Sequence, residues 1–266
     1  MTKVAAVQMV STPVIRENME TASRLIAEAS DKGAELVLLP EYWPAIGRKD
    51  SEKLADAEPY GQGPVQDFMA GMAQKHHVWL IGGTLSLESP EPNKVLNTTL
   101  VYTPDGENVA RYDKIHLFSF ESSKGESYDE STVISRGDSV TTFDAPFGKV
   151  GLSVCYDLRF PELYRAMGDC KMMVVPAAFT YTTGQVHWEI LLRARAIENQ
   201  TYILAAAQGG RHLTGRRTWG HSMLIDPWGD IRAVCVEGEG IAIGDIDDKL
   251  MGNIREKLPA LKHRRL

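Results

Sequence analysis

Segments with apolar residues at helical spacing alternate with short apolar runs along the whole chain. The clearest helix is predicted over residues 16–32, where apolar side chains recur every three or four positions and Gly33 follows as a C-cap. Residues 35–40 contain a continuous apolar run, which is typical of a strand buried on both faces of a parallel sheet. Further helices are predicted at 64–76, 160–168, 186–199 and 249–257, with a weaker one at 51–57. Strands are predicted at 4–10, 78–87, 95–102, 108–112, 140–143, 149–155, 172–175, 202–207, 223–226, 231–236 and 241–246.

The segments between these elements are polar and have no clear period. Residues 115–133, 177–185 and 208–219 are therefore predicted to be loops, the first of them a functional loop, and Pro176 is expected to end the strand before it. No linker or repeat divides the chain. We therefore predict an α/β fold in one domain, residues 1–266, with two β-sheets faced by helices.

Composition narrows the class of protein. With 43% hydrophobic residues the 266-residue chain can bury a full core, and its net charge of −6 argues against nucleic acid as a partner, since phosphate binding needs a basic face. No apolar stretch approaches the roughly 18 residues of a membrane span and no signal-peptide pattern is present, so no membrane association is expected. The three cysteines are widely spaced without a CxxC, which favours reduced thiols in the cytoplasm.

The stretch 150–162 has the strongest chemical signal. An apolar strand pattern runs into Cys155, a short polar turn follows, and Pro161 stands where a helix can begin. A cysteine at such a turn lies near backbone N–H groups and the positive end of a helix dipole, a setting that stabilises a thiolate. By position alone, however, Cys155 is equally compatible with a buried structural role, which is our interpretation of Cys170 and Cys235.

Two more ionisable residues directly follow predicted strands. Glu41 comes after the strand at 35–40 and Lys114 after the strand at 108–112, although either position also suits a solvated surface charge. Together with Cys155 they make up a base, an electrophile and a nucleophile. A carboxylate can accept the thiol proton, and the ammonium group with the backbone N–H of Tyr156 can hold the oxyanion that forms when the sulfur attacks.

Other catalytic patterns are weaker. The histidines are scattered, and the chain contains no HExxH, Walker or dinucleotide-binding motif, so neither a metal nor a cofactor is expected. The stretch around Ser222 lacks the second glycine of a nucleophile elbow. A pairing of Cys155 with His187 or His221 remains an alternative to the set with Glu41 and Lys114.

The stretches around these three residues closely resemble the nitrilase superfamily of carbon–nitrogen hydrolases. They read Leu-Val-Leu-Leu-Pro-Glu41, Arg-Tyr-Asp-Lys114-Ile-His-Leu-Phe and Gly-Leu-Ser-Val-Cys155-Tyr-Asp-Leu-Arg-Phe-Pro-Glu. The resemblance implies a four-layer α-β-β-α sandwich that pairs across its helical layer into a homodimer. It implies Glu41 as general base, Cys155 as nucleophile and Lys114 as stabiliser of the tetrahedral intermediate. A second glutamate is usual after the lysine, and Glu130 fits that pattern better than Glu126.

Within the superfamily the chain looks most like the Nit amidases, through residues 179–199, 205–212 and 220–229. These stretches resemble the deaminated glutathione amidases more than the ω-amidases. The resemblance implies a small-molecule amide substrate, the γ-peptide of 2-oxoglutarate with Cys-Gly, cleaved through a thioester on Cys155. Small ω-amides of 2-oxo acids, acyl transfer to an amine and a catalytically silent binding protein remain alternatives.

An anionic substrate of this kind needs cations. Arg159, Arg211 and His212 are candidates for carboxylate contacts, although each position also suits a surface salt bridge. Arginine is favoured over lysine, because its planar guanidinium group can bind a carboxylate with two parallel hydrogen bonds. The resemblance adds Phe179 and Thr183 as expected substrate contacts.

Overall fold

The structure, a computed structural model, describes residues 1–121 and 127–265. The helices in this part of the chain are α1 (Ile15–Asp31), α2 (Pro64–His76), α3 (Pro161–Ala166), α4 (Tyr181–Asn199), α5 (Asp248–Lys257) and α6 (Ala260–His263). Short 3₁₀ turns cover Asp50–Leu54, Glu130–Thr132 and Cys155–Arg159. Within the described residues, none of the helices combines the length and apolarity that crossing a membrane requires.

Two large mixed β-sheets form the centre of the molecule. The first contains, in spatial order, β18 (Gly240–Ile246), β1 (Thr2–Gln8), β2 (Leu36–Leu38), β3 (Trp79–Ile81), β5 (Val95–Tyr102) and β4 (Leu85–Glu88), and β6 (Asn108–Asp113) and β9 (Ile134–Ser135) also pair with β5. The second contains β10 (Thr142–Ala145), β11 (Gly148–Leu152), β12 (Met172–Ala177), β13 (Tyr202–Ala207), β16 (Ser222–Ile225) and β17 (Ile231–Cys235). Two small ribbons pair β7 (Ser119–Glu121) with β8 (Ser127–Asp129) and β14 (Gly209–Arg211) with β15 (Arg217–Trp219).

Side-chain alternation along β1 shows how the layers pack. Val4 and Ala6 belong to the apolar core shared with the second sheet, whereas Ala5 and Val7 belong to the core shared with α1 and α2. The helices α3 and α4 pack against the second sheet. The layers are therefore α1 and α2, first sheet, second sheet, α3 and α4, which confirms the predicted α-β-β-α sandwich.

Most predicted helices and strands are confirmed with small shifts at their ends, but the strand predicted at 78–87 is two strands, β3 and β4. Gly83 turns the chain between them with a φ of +54°. A Cβ at this position would lie 2.1 Å from the carbonyl oxygen of Pro40, so only glycine fits. This close approach packs the turn against the segment that leads into Glu41.

Pro176 does not end its strand but lies within β12. It is opposite Ala206 of β13 on one side. On the other side the pairing of β11 with β12 stops at Val174, so no β11 residue is opposite Pro176. A proline is tolerated there because it removes an N–H group that the ladder does not need.

Tertiary contacts also give structure to segments that were predicted to be loops. Helix α4 begins at Tyr181, and its interior Gly184 is tolerated because the ring and Cβ of Trp219 pack closely against it. The glycine-rich segment 208–219 forms the ribbon β14–β15. The segment 115–133 contains β7, β8 and a 3₁₀ turn, while Glu126 lies outside the described residues.

Candidate active site

Three separate strands deliver the ionisable residues that the sequence singles out. Glu41 follows β2, Lys114 directly follows β6, and Cys155 follows β11 as the first residue of a 3₁₀ turn. Lys114 Nζ lies 2.9 Å from Glu41 Oε1, and Glu41 and Cys155 line the same pocket. The structure therefore brings the predicted acid, amine and thiol together.

A buried ion cluster surrounds the ammonium group of Lys114. Its Nζ donates to Glu41 Oε1 at 2.9 Å and to Glu130 Oε2 and Oε1 at 2.8 and 3.1 Å. Burial alone would lower the pKa of Lys114, but the charges of Glu130 and Glu41 outweigh it and hold that pKa well above its usual range. Lys114 is therefore a permanent cation held between two carboxylates.

Two further donors orient the carboxylate of Glu41. Asn97 Nδ2 donates to Oε1 at 3.0 Å, and the backbone N–H of Ala178 donates to Oε2 at 2.8 Å. Asn97 lies on β5, whose eight residues are all buried. Together with Lys114, these groups hold both oxygens of the carboxylate in one orientation, since each oxygen accepts at least one hydrogen bond.

Tyr42 extends the network to the second glutamate. Its hydroxyl donates to Glu130 Oε1 and accepts from Asn97 Nδ2, both at 2.9 Å. Burial and the charges of Glu130 and Glu41 raise the pKa of Tyr42 well above its usual value. The phenol therefore keeps its proton and remains a donor to Glu130.

Cys155 lies in a strained backbone conformation with its thiol protonated. Its φ is +47°, in the left-handed region that residues with a Cβ rarely adopt and that is often found at functional sites. Burial raises the pKa of the Cys155 thiol, and the negative charge of Glu41 raises it further. The positive charge of Lys114 lowers this pKa by less than the other two effects raise it. The expectation of a stabilised thiolate is therefore wrong for the resting site, and the thiol needs a base before it can attack.

Asp157 ties the cysteine turn to the lysine segment. Its fully buried carboxylate accepts hydrogen bonds from the N–H of Val154 at 2.8 Å, the hydroxyl of Tyr112 at 2.7 Å and the N–H of His116 at 3.1 Å. Val154 precedes Cys155, and Tyr112 and His116 lie on either side of Lys114. One carboxylate therefore holds the neighbours of both residues in a fixed relation.

A pocket opens beside these groups. Aromatic and apolar side chains form one part of its wall, and two glutamates, two threonines and an arginine supply polar groups. Its lining residues are Glu41, Phe118, Glu130, Cys155, Tyr156, Ala178, Phe179, Thr180, Thr183 and Arg216.

The predicted substrate contacts occupy different places relative to this pocket. Phe179 and Thr183 line it. Arg159 lies beside it, with its guanidinium carbon 5.3 Å from the ring centroid of Phe179 and 5.9 Å from that of Tyr156. Arg211 is exposed on β14 and is not among the lining residues. The structure therefore does not support Arg211 as a substrate contact.

His212 is also absent from the lining, because it supports the ribbon from inside. Its Nδ1 donates to the carbonyl oxygen of Ser11 at 2.9 Å, which leaves Nε2 to accept from Thr218 Oγ1 at 2.8 Å. Burial lowers the pKa of His212 to about 4. The side chain is therefore neutral near pH 7, and the structure does not support it as a cationic carboxylate contact.

The sequence did not predict three residues of the site: Tyr42, Asn97 and Arg216. A signal existed for Asn97, a polar residue within an apolar strand, and for Tyr42, the direct neighbour of Glu41. Nothing in the sequence distinguishes Arg216 from Arg211 in the same polar segment.

The alternative pairing of Cys155 with a histidine finds no support in the geometry. His187 Nδ1 lies 3.3 Å from the guanidinium nitrogens of Arg159. His221 stacks on Trp219, and its Nδ1 lies 3.1 Å from the carbonyl oxygen of that residue. Since neither histidine lines the pocket with Cys155, the carboxylate of Glu41 is the base that the arrangement offers.

Comparison with known proteins shows the family of this chain. A family model described as carbon-nitrogen hydrolase matches residues 3–256. The chain belongs to this family. It is therefore a hydrolase of carbon–nitrogen bonds, and its curated relatives are named as amidases.

Similar proteins cover almost the whole chain. A deaminated glutathione amidase of Synechocystis sp. is 42% identical over 98% of this chain and 97% of its own length. The omega-amidase NIT2 of Xenopus tropicalis is 37% identical over 99% of this chain and 95% of its own. The crystal structure of Nit3 from Saccharomyces cerevisiae, a member of branch 10 of the nitrilase superfamily, matches with a TM-score of 0.88 and 32% identity over 100% of this chain and 97% of that chain.

The environment of His212 predicts a pH-dependent stability. Its pKa of about 4 lies below the roughly 6.5 of an unfolded histidine, so the unfolded state binds more protons between these values. The contribution of neutral, buried His212 to the free energy of unfolding is therefore complete above about pH 6.5. It falls by up to about 3 kcal/mol as the pH decreases towards 4. Urea unfolding of the wild type and of His212→Asn at pH 7 and pH 4.5 should show a smaller loss in the variant. The exposed His263 provides a control, since His263→Gln should lose as much as the wild type; an equal loss in all three proteins would contradict the prediction.

Proposed function

We propose that this carbon–nitrogen hydrolase cleaves the amide of a 2-oxo acid through a thioester on Cys155, and that its substrate is deaminated glutathione. The observation that carries the proposal is that Cys155 and Glu41 line one pocket, while the buried Lys114 donates to Glu41 from behind the lining. The choice of substrate rests on the deaminated glutathione amidase of Synechocystis sp., at 42% identity over nearly the full length of both chains.

The first step is attack by sulfur on the amide carbon. Glu41 accepts the proton of the Cys155 thiol, whose raised pKa makes a base necessary. Negative charge then develops on the amide oxygen, and Lys114 Nζ and the backbone N–H of Tyr156 stabilise it. In a buried site such donors act strongly, because little water screens them.

The second step completes hydrolysis. Glu41 returns its proton to the leaving nitrogen, the C–N bond breaks, and the amine departs as Cys-Gly while the acyl group stays on Cys155 as a thioester. Glu41 then takes a proton from water, which attacks the thioester carbon and releases 2-oxoglutarate. The proton returns from Glu41 to the sulfur, so the enzyme regains its starting state.

Glu130 acts through Lys114. Both of its oxygens accept from Lys114 Nζ, and Tyr42 donates to one of them. Glu130 thereby holds the ammonium group in position and keeps it charged while Glu41 changes protonation state during the reaction.

Phe179, Thr183 and Arg159 are the proposed substrate contacts. Phe179 offers an apolar wall and Thr183 a hydroxyl inside the pocket. Arg159 lies at its side, where its guanidinium group packs on aromatic rings and offers a cation to a substrate carboxylate.

An ω-amidase is the second candidate function. The omega-amidase NIT2 of Xenopus tropicalis is nearly as similar, at 37% identity. Its chemistry would use the same residues, with ammonia in place of the dipeptide as the leaving group. The two candidates therefore differ in what binds beyond the scissile amide.

We also propose a cytoplasmic homodimer. Val186, Ile190 and Ile197 lie on one face of α4 and are 56%, 68% and 49% exposed. Trp228 is 58% exposed on the turn next to Ile197, since Gly229 packs against the Ile197 side chain. An apolar surface of this kind is typical of a protein interface. The three cysteines are free thiols, which the reducing conditions of the cytoplasm favour.

The mechanism predicts that Cys155→Ala and Glu41→Gln each lower kcat by at least about a thousandfold, because the first removes the nucleophile and the second its base. Both replacements leave Lys114 paired with Glu130, so both variants should fold. Lys114→Ala should also be inactive, but it leaves two buried carboxylates unpaired and should cost about 3–5 kcal/mol of stability. Turnover and intact mass after mixing with amide check this; residual activity of Cys155→Ala would overturn the mechanism.

The choice of substrate predicts a higher kcat/KM for deaminated glutathione than for 2-oxoglutaramate. Release of 2-oxoglutarate from the two amides is measured side by side with the same enzyme preparation. Equal or greater efficiency on the small amide would favour the ω-amidase. No turnover and no covalent adduct with either amide would favour a silent binding protein.

The proposed dimer predicts that Ile190→Lys weakens self-association, because it places a charge in the apolar face of α4. Sedimentation velocity should show a monomer, or a dimer that dissociates at much higher concentration than the wild type. Leu213→Lys is a matched control, since Leu213 is 78% exposed between β14 and β15 and does not belong to α4. A dimer equally stable in both variants would place the interface elsewhere.

A further inference from the structure

Arg216 is the one cationic side chain among the described residues that line the active-site pocket. Lys114 is fully buried behind the lining, where its Nζ is engaged by Glu41 and Glu130. Arg159 lies beside the pocket and not in its lining. The guanidinium group of Arg216 is thus the positive charge in the lining itself.

The charges of the site show what this arginine changes. Glu41 and Glu130 bring two negative charges and Lys114 one positive charge, while the Cys155 thiol is neutral because burial raises its pKa. Without Arg216 these groups carry a net negative charge. A substrate carboxylate entering such a poorly solvated site would be repelled.

The ribbon β14–β15 places Arg216 at the pocket. The N–H of Trp219 on β15 donates to the carbonyl oxygen of Phe179 at 3.0 Å, which joins the ribbon to the pocket wall. At the tip of the ribbon, the N–H of His212 donates to the carbonyl oxygen of Arg216 at 2.9 Å. The buried His212 ring is itself bonded to Ser11 and Thr218. The backbone of Arg216 is therefore held from both sides.

The guanidinium group also lies close to the reacting groups. Its Nη2 donates to the carbonyl oxygen of Ala178 at 3.2 Å. The backbone N–H of Ala178 in turn donates to Glu41 Oε2 at 2.8 Å. One peptide segment thus separates the arginine from the proposed base.

We propose that Arg216 binds a carboxylate of the substrate and makes the enzyme selective for anionic amides. The inference rests on the proposed amidase function and refines its substrate class. Deaminated glutathione has two carboxylates, one in the acyl part and one in the leaving dipeptide, and both have the chemistry that an arginine binds with paired hydrogen bonds. Arg216 is therefore a specificity-determining residue.

The next residue in the chain is a matched control. The Arg217 guanidinium carbon lies 3.6 Å from the ring centroid of Tyr181, and its Nη2 lies 3.6 Å from Glu237 Oε1. Arg217 does not line the pocket. Loss of its charge tests any general effect of a positive charge on the ribbon.

The experiment compares Arg216→Gln, Arg216→Lys and Arg217→Gln on four amides. Deaminated glutathione carries both carboxylates, 2-oxoglutaramate only the acyl one, butyryl-Cys-Gly only that of the leaving group, and butyramide none. For Arg216→Gln, kcat/KM should fall roughly 10- to 100-fold on every amide with the carboxylate that Arg216 binds, as expected for a lost charged hydrogen bond. Butyramide should change less than about twofold, Arg216→Lys should recover part of the loss, and Arg217→Gln should match the wild type. Whether kcat/KM falls on 2-oxoglutaramate or on butyryl-Cys-Gly shows which of the two substrate carboxylates Arg216 binds.

A structural role for Arg216 predicts a different pattern. If its bond to Ala178 merely positions Glu41, kcat should fall equally on charged and neutral amides, and that result would overturn the proposal. Unchanged kinetics on all four amides would do the same.

A binding measurement separates this proposal from the proposed function. Calorimetry on Cys155→Ala, with and without Arg216→Gln or Arg216→Lys, gives the Kd of 2-oxoglutarate and of Cys-Gly without any turnover. The Kd of one of them should rise roughly 10-fold or more with Arg216→Gln and less with Arg216→Lys. If the wild type cleaves none of the amides, this change in Kd still supports the carboxylate site, and an unchanged Kd for both ligands overturns it.

Discussion

The buried ion cluster of Lys114 with Glu41 and Glu130 is the constraint on which the rest of the site depends. One ammonium group is held by two carboxylates where solvent does not reach it. Removing the shared lysine from such a cluster costs about 3–5 kcal/mol, because two buried carboxylates are left without their cation. The folded chain must therefore bring three segments next to one another: the end of β2, the end of β6 and the 3₁₀ turn at Glu130. The same requirement places the groups of the proposed reaction within contact of one another.

Burial favours the neutral form of both Cys155 and Lys114, but only Cys155 becomes neutral. It raises the pKa of Cys155 and, with the neighbouring carboxylate, keeps the thiol protonated. For Lys114 the two carboxylates reverse the effect of burial and keep the charge. A neutral nucleophile beside a permanent cation and a carboxylate base is suited to attack on an amide, since proton transfer and oxyanion stabilisation are both provided within the pocket.

Chemistry and selectivity are placed on different parts of the fold. The proposed catalytic residues follow strands of the two large sheets, which are packed on both sides and hold geometry well. The proposed carboxylate contact, Arg216, lies in the segment that connects β14 and β15, where the buried His212 is hydrogen-bonded to Ser11. Connecting segments on a rigid scaffold commonly carry binding residues, because they vary without disturbing the core. The ribbon therefore suits recognition of whatever extends beyond the amide.

The sequence by itself determined the α/β class, most helices and strands, and the three ionisable residues at strand ends, because these follow from local periodicity and from what directly follows each strand. Only the tertiary structure decided that Arg216 faces the pocket while Arg211 faces solvent, and that the thiol is protonated. It also supplied Asn97 and the Ala178 N–H as partners of Glu41, from 56 and 137 residues away. Burial and hydrogen bonds between distant segments set these properties, and such contacts leave no period in the sequence.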